Sequence, residues 1–250
     1  MAEMAEAAIA AGLDELCFTD HMEPVEWGVT TPRESFDWAA LSAEFEAARQ
    51  AAGDRIVLRL GIELGDAPWA LENTERLLAQ APPLDFVIGS CHNLDEAAGG
   101  RDFYLLPYDT LEDCYRALDN YFQSMLAMAA SPCYDVVGHV IYPLRYMNGP
   151  YDTPSLDRYR DQIREILRLA IQSGRGIEIN TWKGQTLREW IPILRDYREL
   201  GGEILTVGSD AHAPEPLGRG IREAYGLMAD CGFRYVAVYH ARKPEMIRLK

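Results

Sequence analysis

Short apolar runs of strand length recur along this chain, and nearly every one ends on a side chain that can bind a metal ion. The runs are ELCFT (15–19), IVLRLGI (56–62), DFVIGS (85–90), DVVGHV (135–140), GIEIN (176–180), ILTVGS (204–209) and YVAVY (235–239). At or just past their ends stand His21, Glu63, His92, His139, Asp210 and His212. Between them lie amphipathic stretches of helical period, near 1–11, 36–52, 69–81, 110–130, 155–173, 187–200 and 219–230. Strand-then-helix alternation predicts a parallel sheet, either open and doubly wound or closed as a (β/α) barrel. The polar residues choose between the two. A barrel points the C-terminal ends of its strands at one centre, so ligands far apart in sequence meet, whereas an open sheet spreads them out.

Composition adds limits. A chain of 250 residues with 48% hydrophobic content can bury one large core, and no low-complexity linker divides it, so residues 1–250 are expected to form a single domain. No stretch reaches the roughly 18 apolar residues of a membrane span. The alanine-rich start is broken by Glu3 and Glu6 and lacks a basic leader region, which makes a cytoplasmic protein with no membrane partner the expectation. Five cysteines, widely spaced and without a CxxC pair, argue for reduced thiols rather than disulfides or a cysteine zinc site. With 24 basic against 39 acidic residues the net charge is −15, which repels a polyanion and argues against extended binding to nucleic acid. A small anion remains possible where a few cations converge.

Imidazole with carboxylate suits zinc, manganese or iron, and Glu63 is the natural bridge between two ions because a carboxylate has two oxygens to give. Two metals roughly 3.5–4 Å apart can activate a shared water and stabilise charge on a phosphoryl oxygen. That is the equipment of a hydrolase. A phosphomonoester also needs fixed cations, for which arginine's planar fork is suited. Arg145 follows the GH strand and Arg219 follows GSDAHAPEPLG, so both lie in loops on the ligand face, with Lys183 in NTWKG a weaker candidate. A surface salt bridge is the ordinary alternative for each. His240 falls outside every motif and is expected to be solvated or capping. Cys91 should face away from its neighbour His92 and pack into the barrel wall, and Trp38 and Tyr121 are most simply core or interface residues.

TDH (19–21), GIE (61–63), GSCH (89–92), GH (138–139) and GSDAH (208–212), in this order, resemble the successive motifs of the polymerase-and-histidinol-phosphatase (PHP) superfamily. EINT (178–181) and ARKPEMI (241–247) are similar to its histidinol-phosphate phosphatase branch. The resemblance implies a distorted (β/α)7 TIM-like barrel that holds up to three divalent ions and hydrolyses a phosphomonoester through a metal-bridging hydroxide. It implies that Glu63 bridges two ions, that His92 and His139 complete the second site, that His21 and His212 serve the third, and that Asp210 serves the first. Glu63, Asp210 and His212 are then the catalytic candidates, and Asp20 is expected to orient His21 from behind.

One departure qualifies this. Family members begin with a strand carrying HxH, and this chain opens directly on a helix, so the first strand is apparently missing and three ligands have no counterpart. A misplaced start or a truncated chain is the favoured reading over a degenerate protein. Fewer than three ions are expected, with Glu63, His92 and His139 the one complete set, and a homo-oligomer that covers the open barrel seam is a possible consequence. The function expected is metal-dependent hydrolysis of histidinol phosphate to histidinol and phosphate. A PHP phosphoesterase with another small substrate, and a metal-binding protein without turnover, stand as the alternatives.

Overall fold

Strands dense in Val, Ile and Leu can bury both faces only in the middle of a layered fold, and six of the apolar runs do so. The structure, a computed structural model, describes residues 1–26, 31–185 and 187–249. Strands β1 (Glu15–Met22), β2 (Val57–Gly65), β3 (Phe86–Ser90), β4 (Val136–Val137), β5 (Gly176–Asn180) and β6 (Leu205–Gly208) form one parallel sheet in sequential order. Helices α1 (Ala2–Ala10), α2 (Trp38–Ala52), α3 (Leu71–Leu78), α4 (Leu111–Ala130), α5 (Arg160–Gln172), α6 (Trp190–Glu199) and α7 (Ile221–Asp230) fill the intervals. This is an α/β architecture with the sheet curled as in a distorted TIM-like barrel.

Local chemistry starts the helices where the periodicity begins. The Asp37 carboxylate accepts the Ala40 N–H at 2.9 Å to cap α2, and Thr110 and Asp113 form a reciprocal capping box at the head of α4. Along α4, Cys114, Leu118, Tyr121, Phe122, Met125 and Met128 make one buried stripe. It packs in the main core with the outer-facing strand residues Ile62, Leu64, Val87, Val137 and Ile177. Cys91 joins that core, on the side away from His92.

The seventh apolar run behaves differently. It forms β7 (Tyr235–His240), which does not join the parallel sheet but turns back as an antiparallel hairpin with β8 (Lys243–Arg248), inside the stretch read from sequence only as a closing motif. Ala237 and Tyr239 pack on Phe86, Ile88 and Val136, so the hairpin plugs the N-terminal end of the barrel. Arg242 pairs with Asp135 at 2.5 Å, and Asp85 meets both the His240 ring and the Ala241 N–H at 3.0 Å. His240 therefore serves this plug. Among the described residues β1 and β6 are left as the edges of the sheet, yet curling brings their ends together, with the His21 and His212 rings 5.7 Å apart.

The hairpin turns on Ala241 (φ 47°) and Arg242 (φ 65°), both left-handed. This backbone suits Asn at the first position and costs Ala about 1–2 kcal/mol. Ala241→Asn keeps the N–H that Asp85 accepts and should raise the midpoint of thermal unfolding by roughly 2–4 °C. Calorimetry on the two proteins checks this.

Candidate metal centre

Parallel pairing sets His21 of β1 in register with Glu63 of β2, and alternation then turns both side chains toward the barrel interior. The same inner face carries Cys17, Thr19, Ile88, Glu178 and Thr206 around a cavity of about 470 Å³, which opens between β1 and β6. Its upper end is where the strand-end residues meet.

Three of them form a closed group. Glu63 Oε1 lies 2.7 Å from His139 Nε2 and 3.1 Å from His92 Nε2, and the two Nε2 atoms are 3.3 Å apart. All three residues are buried. Ser90 donates to the same Glu63 oxygen at 2.6 Å, and the Tyr121 hydroxyl donates to the His139 carbonyl at 2.7 Å. Tyr121 is thus a core residue that also steadies a site residue. Tyr142 lies against both imidazoles, with ring centroids 4.7 Å from His139 and 5.3 Å from His92.

A divalent cation fits these residues. Ligands at roughly 2.0–2.1 Å from one tetrahedral ion stand roughly 3.3 Å from one another, close to the edges of this triangle. The surroundings are also rich in carboxyl groups. Burial, reinforced by the charge on Glu23, pushes Asp66 up to about 8, and burial with repulsion from Glu63 and Asp210 pushes Glu178 up to about 8. Burial alone would raise Glu63 as well, but the neighbouring His92 charge and the His139 hydrogen bond hold it well below the usual carboxylate range. A site that crowds Glu23, Glu63, Asp66, Glu178 and Asp210 favours positive charge at its centre.

The remaining expected residues stand around this group without closing on it. His21 Nδ1 is 3.5 Å from Glu23 and 3.7 Å from Glu63, and the side chain is 38% exposed. His212 is more open still, at 62%. Asp210, in a left-handed conformation (φ 53°), turns to Arg145, whose Nη1 donates to it at 2.5 Å, while Asn180 donates at 3.2 Å. Arg145 is buried between two aromatic faces, 4.1 Å from the Trp182 ring and 4.7 Å from Tyr142. Lys183 Nζ sits 4.3 Å over Trp182, and Arg219 is exposed, its backbone carbonyl accepting from Thr181. Among the described residues the two ligand groups able to share an ion are Glu63 with His92 and His139, and His21 with Glu23 and His92. Neither includes Asp210 or His212.

Asp20 is exposed, on the outward-facing phase of β1, and Glu23 stands where it was expected to act. Glu23 went unnoticed in the sequence, as did Ser90, Asp66, Glu178 and Asn180 as individual residues. A usable signal existed for Glu23, since a residue two positions after His21 shares its face. Ser90 and Glu178 lie inside motifs, GSCH and EINT, that were read for their order only.

The PHP domain family model matches residues 1–182. The histidinol-phosphatase of Lactococcus lactis subsp. lactis (strain IL1403) is 29% identical over 249 residues, covering 94% of this chain and 87% of that protein. A Deinococcus radiodurans protein described as a probable histidinol-phosphatase is 29% identical over 250 residues, covering 96% and 90%. The crystal structure of the Lactococcus lactis histidinol phosphate phosphatase, complexed with zinc, L-histidinol and phosphate, superposes with a TM-score of 0.79 at 27% identity, covering 97% of this chain and 91% of that one.

Because Glu63 touches both imidazoles, Glu63→Gln should weaken zinc binding by more than the roughly 10–100-fold that loss of an outer partner costs. Cys91→Ala, on the opposite face, should leave it unchanged. Competition with a chromogenic chelator measures both.

Proposed function

The chain belongs to the PHP domain family, and from that premise we propose that it is a metal-dependent phosphatase that hydrolyses histidinol phosphate to histidinol and phosphate. The observation that carries this reading is the buried triangle of Glu63, His92 and His139 at the mouth of the barrel, with an arginine fixed beside it. Relatives similar over nearly the whole chain, one of them seen with zinc, histidinol and phosphate, support the choice of substrate.

In this reading Glu63, His92 and His139 hold a divalent ion, which when bound supplies positive charge to a phosphoryl oxygen and acidity to a water. The chain's own groups do the rest. His21, Asp210 and His212 line the open side of the site, where the ester approaches. Arg145 presents a guanidinium whose orientation is already set by Asp210, Asn180 and two aromatic rings, so little freedom is lost when it meets phosphate. Lys183 and Arg219 are the more exposed cations proposed for the same anion. His212, more exposed than His21 and Asp210, is the group we assign to pass a proton to the departing alcohol.

A second reading, a metal-binding PHP protein without turnover, draws on one observation: Asp210 is engaged by Arg145 and lies outside both ligand groups. One assay separates the readings. Phosphate release is followed from histidinol phosphate and a panel of other small phosphomonoesters, with Mn²⁺ or Zn²⁺ added. The highest kcat/KM should belong to histidinol phosphate. Preference for another ester would shift the substrate, and no release from any ester, with metal bound, would favour the second reading. Arg145→Lys, which keeps the charge but loses the planar fork, should lower kcat/KM by about 10–100-fold.

We also propose that a second copy of the chain covers the seam. Open N–H and C=O groups on facing edges invite pairing, and the edges of β1 and β6 flank a cavity whose walls include Leu13, Leu16 and Ile221. Light scattering after size exclusion should report a dimer or larger assembly. A stable monomer at micromolar concentration would refute this.

A further inference from the structure

We propose that Glu23 is the positioning residue of the metal centre, fixing the tautomer and direction of His92, and that Gly65 exists to make room for it. The inference rests on the Glu63, His92, His139 group as the metal site and is independent of which ester is hydrolysed.

A neutral imidazole carries one lone pair and one N–H. His92 Nε2 is directed at Glu63 Oε1 (3.1 Å) and His139 Nε2 (3.3 Å), so a lone pair able to take an ion there leaves the proton on Nδ1. Glu23 Oε1 is 2.8 Å from that Nδ1, both groups being buried. The carboxylate accepts the Nδ1–H, locks the ring and makes Nε2 a better donor. The same proton blocks Nδ1 as a ligand in the competing group of His21, Glu23 and His92. An ion held by His21, Glu23 and His92 through Nδ1 would need the lone pair on the other nitrogen, and one neutral ring cannot serve both. The choice falls to the fully buried triangle, in which Ser90 already supports Glu63 at 2.6 Å.

The backbone of β2 is shaped for this carboxylate. A methyl group on Gly65 would lie 1.9 Å from Glu23 Oε2 and 2.3 Å from Oε1, so no larger residue leaves the side chain where it is. The cost is also visible. Glu23 Oε2 is buried with no hydrogen-bond partner among the described residues, an expense that packing for stability alone would not incur. Glu23 leaves the end of β1, Gly65 ends β2 and His92 follows β3, so a single contact sets three strand ends at the site.

The test is zinc affinity by chelator competition, with the visible spectrum of the cobalt-substituted protein as a second readout. Glu23→Ala should weaken zinc binding about 100-fold and Glu23→Gln, which keeps an acceptor, about 10-fold. Both should change the cobalt bands, while circular dichroism of the metal-free proteins stays that of the parent. Gly65→Ala should reproduce the loss by displacing the carboxylate, and adding it to Glu23→Ala should cost little more, since both remove the same contact. Folded Glu23→Ala protein that binds zinc within twofold of the parent, with unchanged cobalt bands, would overturn the proposal even if Gly65→Ala failed to fold. A parent that binds zinc but leaves histidinol phosphate intact would count against the function proposed above and not against this one.

Discussion

A carboxylate taken out of water costs several kcal/mol unless charge and hydrogen bonds are brought to it, and Glu63 makes the rest of this fold answer that demand. Its partners come from different places in the chain: Ser90 ends β3, His92 follows it, His139 follows β4, and His21 lies beside Glu63 in the neighbouring strand. Each brings the end of a strand toward one point. The demand is met most fully by a cation, because two imidazoles and a carboxylate oxygen converge with no other group between them. The parallel register puts the residues within reach, and the carboxylate's need for partners fixes which of them must turn inward.

That dependence explains what was legible in the sequence. Among the described residues, the six strands of the sheet and the seven α-helices could be read from period and punctuation, since the strand runs are unbroken and the helix stripes are clear. His92 and His139 were legible as partners because barrel geometry collects strand ends whatever their separation in sequence. The hairpin of β7 and β8 was not. Its turn is Ala241-Arg242 rather than Asn-Gly, and its exposed second strand lacks the apolar alternation that marks a strand. Glu23 is hidden because the apolar run stops at Thr19, whereas pairing continues to Met22. Nor could pattern show that Asp210 would meet Arg145, 65 positions away.

The Arg145 and Asp210 pair bears on how the site is divided. Asp210 has two strong claims on it, a guanidinium donating at 2.5 Å and whatever positive charge the triangle holds. Arg145 is the better-anchored of the two, sandwiched by Trp182 and Tyr142 and joined to Asn180 at 3.2 Å. A buried ion pair of this kind is hard to break, because removing either partner strands the other's charge. The arginine therefore holds the loop after β6 against the loop after β4. The triangle of Glu63, His92 and His139 and the Arg145–Asp210 pair are separate groups that share no residue.

This separation resolves an apparent contradiction in composition. A chain of net charge −15 is a poor partner for an extended polyanion, yet the function proposed for it requires a small phosphate ester to approach. Charges further apart than roughly 8 Å are largely screened at physiological salt, so a distant acidic surface weighs little against what lines the mouth. Three of the carboxylates there are already engaged: Glu63 by imidazoles, Glu23 by His92, Asp210 by Arg145. In the proposed function their charge serves a cation, and the two exposed imidazoles of His21 and His212 line the opening, while the Arg145 guanidinium lies buried. The acidic composition and the proposed anionic substrate are compatible because, in the proposed function, these carboxylates hold a cation and do not meet the ligand.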